Sequence, residues 1–252
     1  MSDLRVSYER PGSAALVRIL RPERRNAVDG STADALHAAF LRFVADEGAR
    51  VMVIAGDDRA FCAGADLKAI DTLGDRDAGP LGFTRLHSPK PTIAAVSGYA
   101  VAGGLEIALW CDLRVCDETA VFGCFERRWG VPLVDGGTQR LPRIVGAGRA
   151  LELVLLGRAV GAEEALRIGL VNAVAATGRA VEKALAWAET IAAFPQVTML
   201  ADREALLQGL GRPLAEGLAL ERRLAVNTME TARRGAGRFA SGEGRGGRGV
   251  PA

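Results

Sequence analysis

"KPTIAAVSGYAVAGGLEIALWCDLRV", residues 90–115, decides how this chain is read. The run "TIAAVSG" (92–98) is short, apolar and closed by glycine, the pattern of a buried strand, and "DLRVC" (112–116) reads as another. Between them the backbone is stripped of side chains at Gly103 and Gly104, and Glu106 falls about two residues into a helix expected to begin at Gly104. The first N–H groups of a helix lack intrahelical partners and its dipole points a positive end outward. Small residues there let another molecule reach that backbone. Taken alone, the glycines also read as an allowance for a tight strand-to-helix turn. Glu106 likewise reads as an acid favouring a helix N-terminus, worth ~0.3–1 kcal/mol. Its surroundings, "VAGGLEIALW", are apolar on every side, and a buried ionised carboxylate needs partners or a shifted pKa.

The same grammar occurs upstream, where "VMVIAG" (51–56) is followed by "FCAGADLK" (61–68). Two such junctions side by side could aim two N–H donors at one oxygen, which is what an oxyanion hole does. Downstream, "FGCFERRWGVPLVDGGTQRLPR" (122–143) sets Glu126 among Phe125, Arg127, Arg128 and Trp129. Locally, a salt bridge to one of those arginines is the simpler reading. In company with Glu106 and the paired donors, Glu126 completes an acid/base set for chemistry beside a polarised carbonyl. Nucleotide sites do not fit: Gly98 and Gly103-Gly104 lack the Lys-Ser/Thr of a P-loop, and no GxGxxG follows the first strand.

Through the first two-thirds, strands alternate with helices, which argues an α/β fold. "AALVRIL" (14–20) is a further strand, and "STADALHAAFLRFVADE" (31–47) a helix capped by Ser31 or Thr32. Loops are expected at 57–66, 71–82 and 130–137, and no internal repeat is legible. After about residue 145 the pattern predicts helices only, at 147–156, 162–168, 179–193, 197–209 and 213–231. The expected division is a core over 1–194 and a helical region over 195–252 that ends in the Gly/Arg-rich "SGEGRGGRGVPA".

Of the 252 residues 49% are hydrophobic, enough for a large core, and the net charge of +2 does not suggest a protein built to coat nucleic acid or an anionic membrane. Cys62, Cys111, Cys116 and Cys124 have neither metal-site nor disulfide-framework spacing, which points to a reducing, cytoplasmic setting. His37 and His87 alone give little material for a histidine metal site. "MSDLRVSYER" carries charges where a signal peptide needs an apolar run, and no stretch approaches the ~20 apolar residues that span a bilayer.

Taken in order, these motifs resemble the enoyl-CoA hydratase/isomerase (crotonase) family over nearly the full chain. "RPERRNAV" (21–28) is similar to its N-terminal signature, "AFCAGADLK" (60–68) to its first oxyanion and CoA loop, and residues 90–115 to its second. Residues 122–143 are similar to the segment with the second catalytic glutamate, and "RPLAEGLALERRL" (212–224) to the C-terminal helix. The resemblance implies a spiral of β-β-α repeats followed by a helical trimerisation region, assembled as a homotrimer or dimer of trimers. It implies an acyl-CoA thioester substrate, hydrated across its α,β double bond, with no metal or redox cofactor. By position, the N–H groups of Ala65 and Gly103 would bind the thioester oxygen, and Glu106 and Glu126 would hold and activate water. Ala63, Asp66, Leu67 and Lys68 would line the CoA path, with Asp66 near the adenine and Phe239 and Arg245 near CoA.

Two positions depart from the family pattern. Ala102 replaces the first of three glycines, and Asp135 places an acid where hydratases have a small residue. A third carboxylate could raise its neighbours' pKa values, move a proton between substrate carbons, or pair with Arg140. Isomerisation is therefore the alternative reading. A non-catalytic relative that binds acyl-CoA, or RNA through its tail, is a more distant one.

Overall fold

The computed structural model describes residues 4–243. Its larger sheet has the order β1 (Val6–Glu9), β2 (Ala14–Ile19), β3 (Val51–Ala55), β5 (Thr92–Val96), β7 (Leu113–Asp117) and β10 (Ala173–Ala175). β1 and β2 form an antiparallel pair, with Val6 opposite Ile19, and every later neighbour is parallel. Every residue of β3 and β5 is buried, which is why they read as unbroken apolar runs rather than alternating ones.

A smaller sheet has the order β4 (Ala60–Cys62), β6 (Tyr99–Val101), β8 (Val121–Gly123) and β9 (Val160–Gly161). Three times the chain leaves a strand of the large sheet, turns, adds a strand to the small one and enters a helical turn. The pairs are β3–β4, β5–β6 and β7–β8, and the helical elements are Leu67–Thr72, α2 (Gly103–Trp110) and Phe125–Trp129. The repeat invisible in the residues is therefore present in the backbone. Its short strands are only three residues long, too few to show a period, and β4 falls inside the loop expected at 57–66.

Two other expectations are corrected. The C-terminal third is not helix alone, because β9 and β10 complete the two sheets. The expected helix at 213–231 is two, α8 (Leu214–Val226) and α9 (Met229–Ala240), broken at Asn227–Thr228. α1 (Gly30–Ala45) starts one residue early because Asp29, not Ser31 or Thr32, is its cap, accepting the Thr32 N–H at 2.9 Å. α1 buries Leu36, Phe40 and Phe43.

Before the second helical turn lies the 71–88 segment, whose pattern gives no fold. It is held by tertiary contacts: Leu81 and Phe83 are buried, Phe83 packs edge-on against Trp110 at 4.7 Å, and Trp110 Nε1 donates to Leu86 O at 2.8 Å. After β8 come α3 (Gly137–Val145), α4 (Ala147–Leu156), α5 (Ala162–Arg167) and α6 (Ala180–Ala193).

The chain divides into two compact units at Ala188/Glu189, inside α6 and upstream of Pro195. In the second unit α7 (Gln196–Gly209) packs on α8 and α9. Residues 244–252, with Arg245 and the RGG triplet, lie outside the described residues. Among the described residues no helix is long and apolar enough to cross a membrane.

Candidate active site

Successive turns of the spiral deliver the expected residues to one place: Ala65 follows β4, Gly103 follows β6 and Glu126 follows β8. Together with Ala63, Leu67, Glu106 and Asp135 they line a mostly apolar cavity of about 660 Å³. Asp66 and Lys68 are not part of its lining. Lys68 is exposed, and Asp66 is buried with Oδ2 on Arg21 at 3.1 Å and Oδ1 accepting the Lys68 N–H at 3.1 Å.

The N-terminal signature supports the loop after β4. Asn26 is fully buried; it accepts the Arg21 N–H at 2.8 Å and donates to Ala60 O at 2.7 Å, while Ala63 N–H donates to Arg25 O at 3.0 Å. On either side of Ala65 the backbone is pinned to Val28, whose N–H donates to Gly64 O and whose carbonyl accepts the Asp66 N–H, both at 2.8 Å. The Ala65 N–H itself, and that of Gly103, has no acceptor among the described residues.

Those two segments touch. A Cβ built on Gly103 would lie 3.2 Å from Gly64 Cα and 3.5 Å from Ala65 N, and one built on Gly64 only 2.7 Å from Gly103 N. No side chain fits between them, and Gly64 also holds φ +88°, which favours glycine. Ala102, just before Gly103, is the exception: it caps α2 at φ +52°, ψ −127°, a conformation L side chains rarely adopt. The replacement of glycine at this position is therefore a strained one.

Glu106 lies in the first turn of α2 and is 2% exposed. Its Oε1 accepts the N–H groups of Asp135 at 2.9 Å and Gly137 at 2.7 Å. Burial is the main force raising its pKa to about 7; the Gly137 hydrogen bond opposes this, and the Asp135 and Glu126 charges add to it. The role of a helix-terminal cap does not describe it, since its bonds go to another loop.

Glu126 sits in the helical turn Phe125–Trp129, 5% exposed, with no hydrogen-bond partner for either oxygen among the described residues. The salt bridge suggested by the neighbouring arginines is not made. Arg128 donates instead to Gly157 O at 3.0 Å and lies 3.8 Å over the Phe125 ring. Burial raises the Glu126 pKa; its own backbone N–H opposes this first, and the Arg127 charge opposes it through space. A buried carboxylate without a donor favours its protonated form.

Asp135, 2% exposed, does not pair with Arg140 through its carboxylate. Oδ1 accepts the Leu81 N–H at 3.1 Å and the Thr84 hydroxyl, while Arg140 donates to the backbone carbonyls of Asp135 at 2.7 Å and Thr84 at 2.6 Å. Burial raises the Asp135 pKa as well. Leu81, Thr84, Gly137 and Arg140 thus belong to the site, although no local pattern marks them. Trp129, 72% exposed, stands at the cavity wall. Among the described residues no group of three or more His, Cys, Asp or Glu side chains could hold a metal ion.

Chemically, the cavity combines two unpartnered N–H donors, a carboxylate poised near neutrality and a second carboxylate that favours its proton. That set suits charge development on a carbonyl oxygen together with proton transfer at a neighbouring carbon.

Residues 9–245 match the enoyl-CoA hydratase/isomerase family, and the chain belongs to it. A probable enoyl-CoA hydratase of Rhizobium meliloti is 41% identical over 228 residues, covering 88% of this chain and 89% of that protein. Among solved structures, an enoyl-CoA hydratase of Mycobacterium marinum superposes with a TM-score of 0.90 at 35% identity, over 95% of this chain and 96% of that one. One from Mycobacterium tuberculosis gives 0.89 at 34%, over 99% and 98%. The mixed α/β architecture with its C-terminal helices is the crotonase fold.

Proposed function

We propose that this protein is an enoyl-CoA hydratase, a lyase that adds water across the α,β double bond of a 2-enoyl-CoA thioester. The observation that carries this reading is the meeting of Glu106 and Glu126, both buried, in the cavity that also receives the unpartnered N–H groups of Ala65 and Gly103. The thioester oxygen accepts from those two N–H groups, which form the oxyanion hole. Ionised Glu106 takes a proton from water as the water oxygen bonds to C3, and the π electrons move towards the thioester oxygen. Protonated Glu126 delivers its proton to C2. Negative charge on that oxygen peaks in the transition state, so the fixed donors lower the barrier rather than only tightening binding. The loss of one such donor would cost about 3 kcal/mol.

Ala63 and Leu67 line the path of the CoA moiety, with Asp66 and Lys68 flanking it and no cofactor beyond the substrate's own coenzyme A. Exposed Leu206, Leu210, Leu214 and Leu218 on α7, α8 and their connection support a homotrimer or a dimer of trimers. Four buried, unbridged cysteines support a cytoplasmic setting. Loss of enone absorbance on incubation with crotonyl-CoA and longer 2-enoyl-CoAs tests the reading. It fails if none is hydrated, or if Glu126→Gln hydrates as fast as wild type.

One observation favours double-bond migration as a second reading: Asp135 adds a third buried carboxylate to the cavity lining. Direct conversion of a 3-enoyl-CoA into its 2-enoyl isomer would establish it.

A further inference from the structure

Asp135 is held through its N–H, its carbonyl and one carboxylate oxygen. Its N–H donates to Glu106 Oε1 at 2.9 Å, its carbonyl accepts from Arg140 at 2.7 Å, and carboxylate Oδ1 accepts from Leu81 N–H and Thr84. Arg140 closes the ring by donating to Thr84 O at 2.6 Å. The 79–86 segment, anchored by Phe83 and Trp110, is thereby fastened to the 131–137 loop. That loop supplies both N–H groups that fix Glu106. Donors at the junction of a loop and α3 keep hydrogen-bond distance only if the loop is restrained; the Asp135 carboxylate is one such restraint, beside Arg140 and the Arg85 bond to Val134 O at 3.1 Å.

We propose that Asp135 is a positioning residue for hydration: its carboxylate clasps the 79–86 segment so that its own N–H and that of Gly137 hold Glu106 in the geometry that activates water. This rests on the hydratase reading for its kinetic consequence and on the hydrogen bonds of the Asp135 carboxylate for the clasp. An isosteric asparagine keeps an oxygen for Leu81 and Thr84 but removes the charge, whereas alanine removes both. The clasp and the charge are therefore separable.

Besides Asp135, the charged groups acting on Glu106 are Glu126 from the helical turn after β8 and Arg140 from α3, while Arg85 from the 71–88 segment acts on Asp135. The neighbouring thiols, Cys62 and Cys124, are pushed up to about 12 and stay protonated near neutrality. Of these groups, Asp135 changes in the asparagine variant without loss of a hydrogen bond to Glu106.

The test compares Asp135→Asn, Asp135→Ala and Thr84→Val with wild type, reading kcat and KM for a 2-enoyl-CoA across pH. Asp135→Ala is expected to lower kcat by up to on the order of 10²-fold with little change in KM, as does a catalytic group held slightly out of place. Thr84→Val moves kcat in the same direction by less. Asp135→Asn restores most of the kcat, and its acid limb moves to lower pH because the like charge beside Glu106 is gone. If Asp135→Asn is as slow as Asp135→Ala, Asp135 reacts itself and the proposal is overturned. Unchanged kcat in Asp135→Ala and Thr84→Val overturns it equally. A second readout needs no turnover: the ¹³C carboxyl titration of Glu106, assigned with Glu106→Gln, is expected to move to lower pH in Asp135→Asn. An unmoved midpoint counts against the proposal. If wild type hydrates no enoyl-CoA but this midpoint shifts, the hydratase reading falls and the coupling of Asp135 to Glu106 stands. Should Asp135→Ala fail to fold, Asp135→Asn and Thr84→Val still decide.

Discussion

Gly137 lies against Glu106 so closely that a single methyl group would strike it. Its N–H reaches Oε1 at 2.7 Å, and a Cβ built on it would sit 3.0 Å from both Cγ and Oε1. Bare backbone is thus the means by which the carboxylate is held. Gly137→Ala is expected to displace Glu106 and to destabilise the fold by about 1–3 kcal/mol, the usual penalty for overpacking. Steady-state kinetics with thermal melting checks this, and a drop in kcat larger than any rise in KM is the expected signature.

Hydration as proposed needs ionised Glu106 and protonated Glu126 at the same moment. The rate should therefore rise with pH as Glu106 ionises near its raised pKa of about 7 and fall again as the pair loses its remaining proton. Glu126→Gln is expected to lower kcat by about 10²–10⁴-fold and to abolish the alkaline limb. A flat pH profile between acid and alkaline extremes would count against this assignment of roles.

The same shift carries a stability consequence. The folded pKa of Glu106 is raised from 4.5 to about 7, so folding favours the proton. Stability is unaffected below the unfolded value, falls as pH rises through the interval between the two, and stays reduced above it. The reduction is up to about 3 kcal/mol. Glu106→Gln keeps an oxygen for the Asp135 and Gly137 N–H groups and cannot ionise. Chemical denaturation at pH 8 should show the variant more stable than wild type, with the difference vanishing at pH 4.

Ala102 offers the opposite manipulation. Its φ of +52° stores strain of about 1–3 kcal/mol that glycine would relieve, against an entropic cost of about 0.5–1 kcal/mol in the unfolded chain. Ala102→Gly is expected to gain about 1 kcal/mol and raise Tm by roughly 2–4 °C for a protein of this size. A lower Tm would mean that the alanine methyl group packs better than its backbone suffers.

What the residues disclosed depended on how local the signal was. Gly103 and Glu106 stand out because a carboxylate in an apolar run conflicts with its neighbours within a few positions. β3 and β5 are legible because burial on both faces leaves them without a charged residue and, but for Thr92, without a polar one. β4, β6 and β8 are not, since three residues cannot display a period. Asp29 is masked as the α1 cap by the two hydroxyl residues that follow, yet its carboxylate accepts from Ser31, Thr32 and Arg5. Leu81 and Thr84 carry no mark at all. Their part in the site depends on Asp135, more than fifty residues away in sequence. Glu126 illustrates the reverse error: its flanking arginines suggest a pair, but one of them is drawn to Gly157 O.

β4 and β6 are neighbours in one sheet, and hydrogen-bonded strands stand about 4.8 Å apart. Their register slips between Ala60 and Cys62, where two residues of one strand span a single step of the other, Tyr99 to Ala100. Ala65 and Gly103 are the first free ends beyond that pairing. The gap between the two donors is therefore calibrated by the spacing of a β-sheet plus one slip, not by the side chains of the cavity. The walls can be re-cut for a different acyl group while the gauge that grips the thioester keeps its setting.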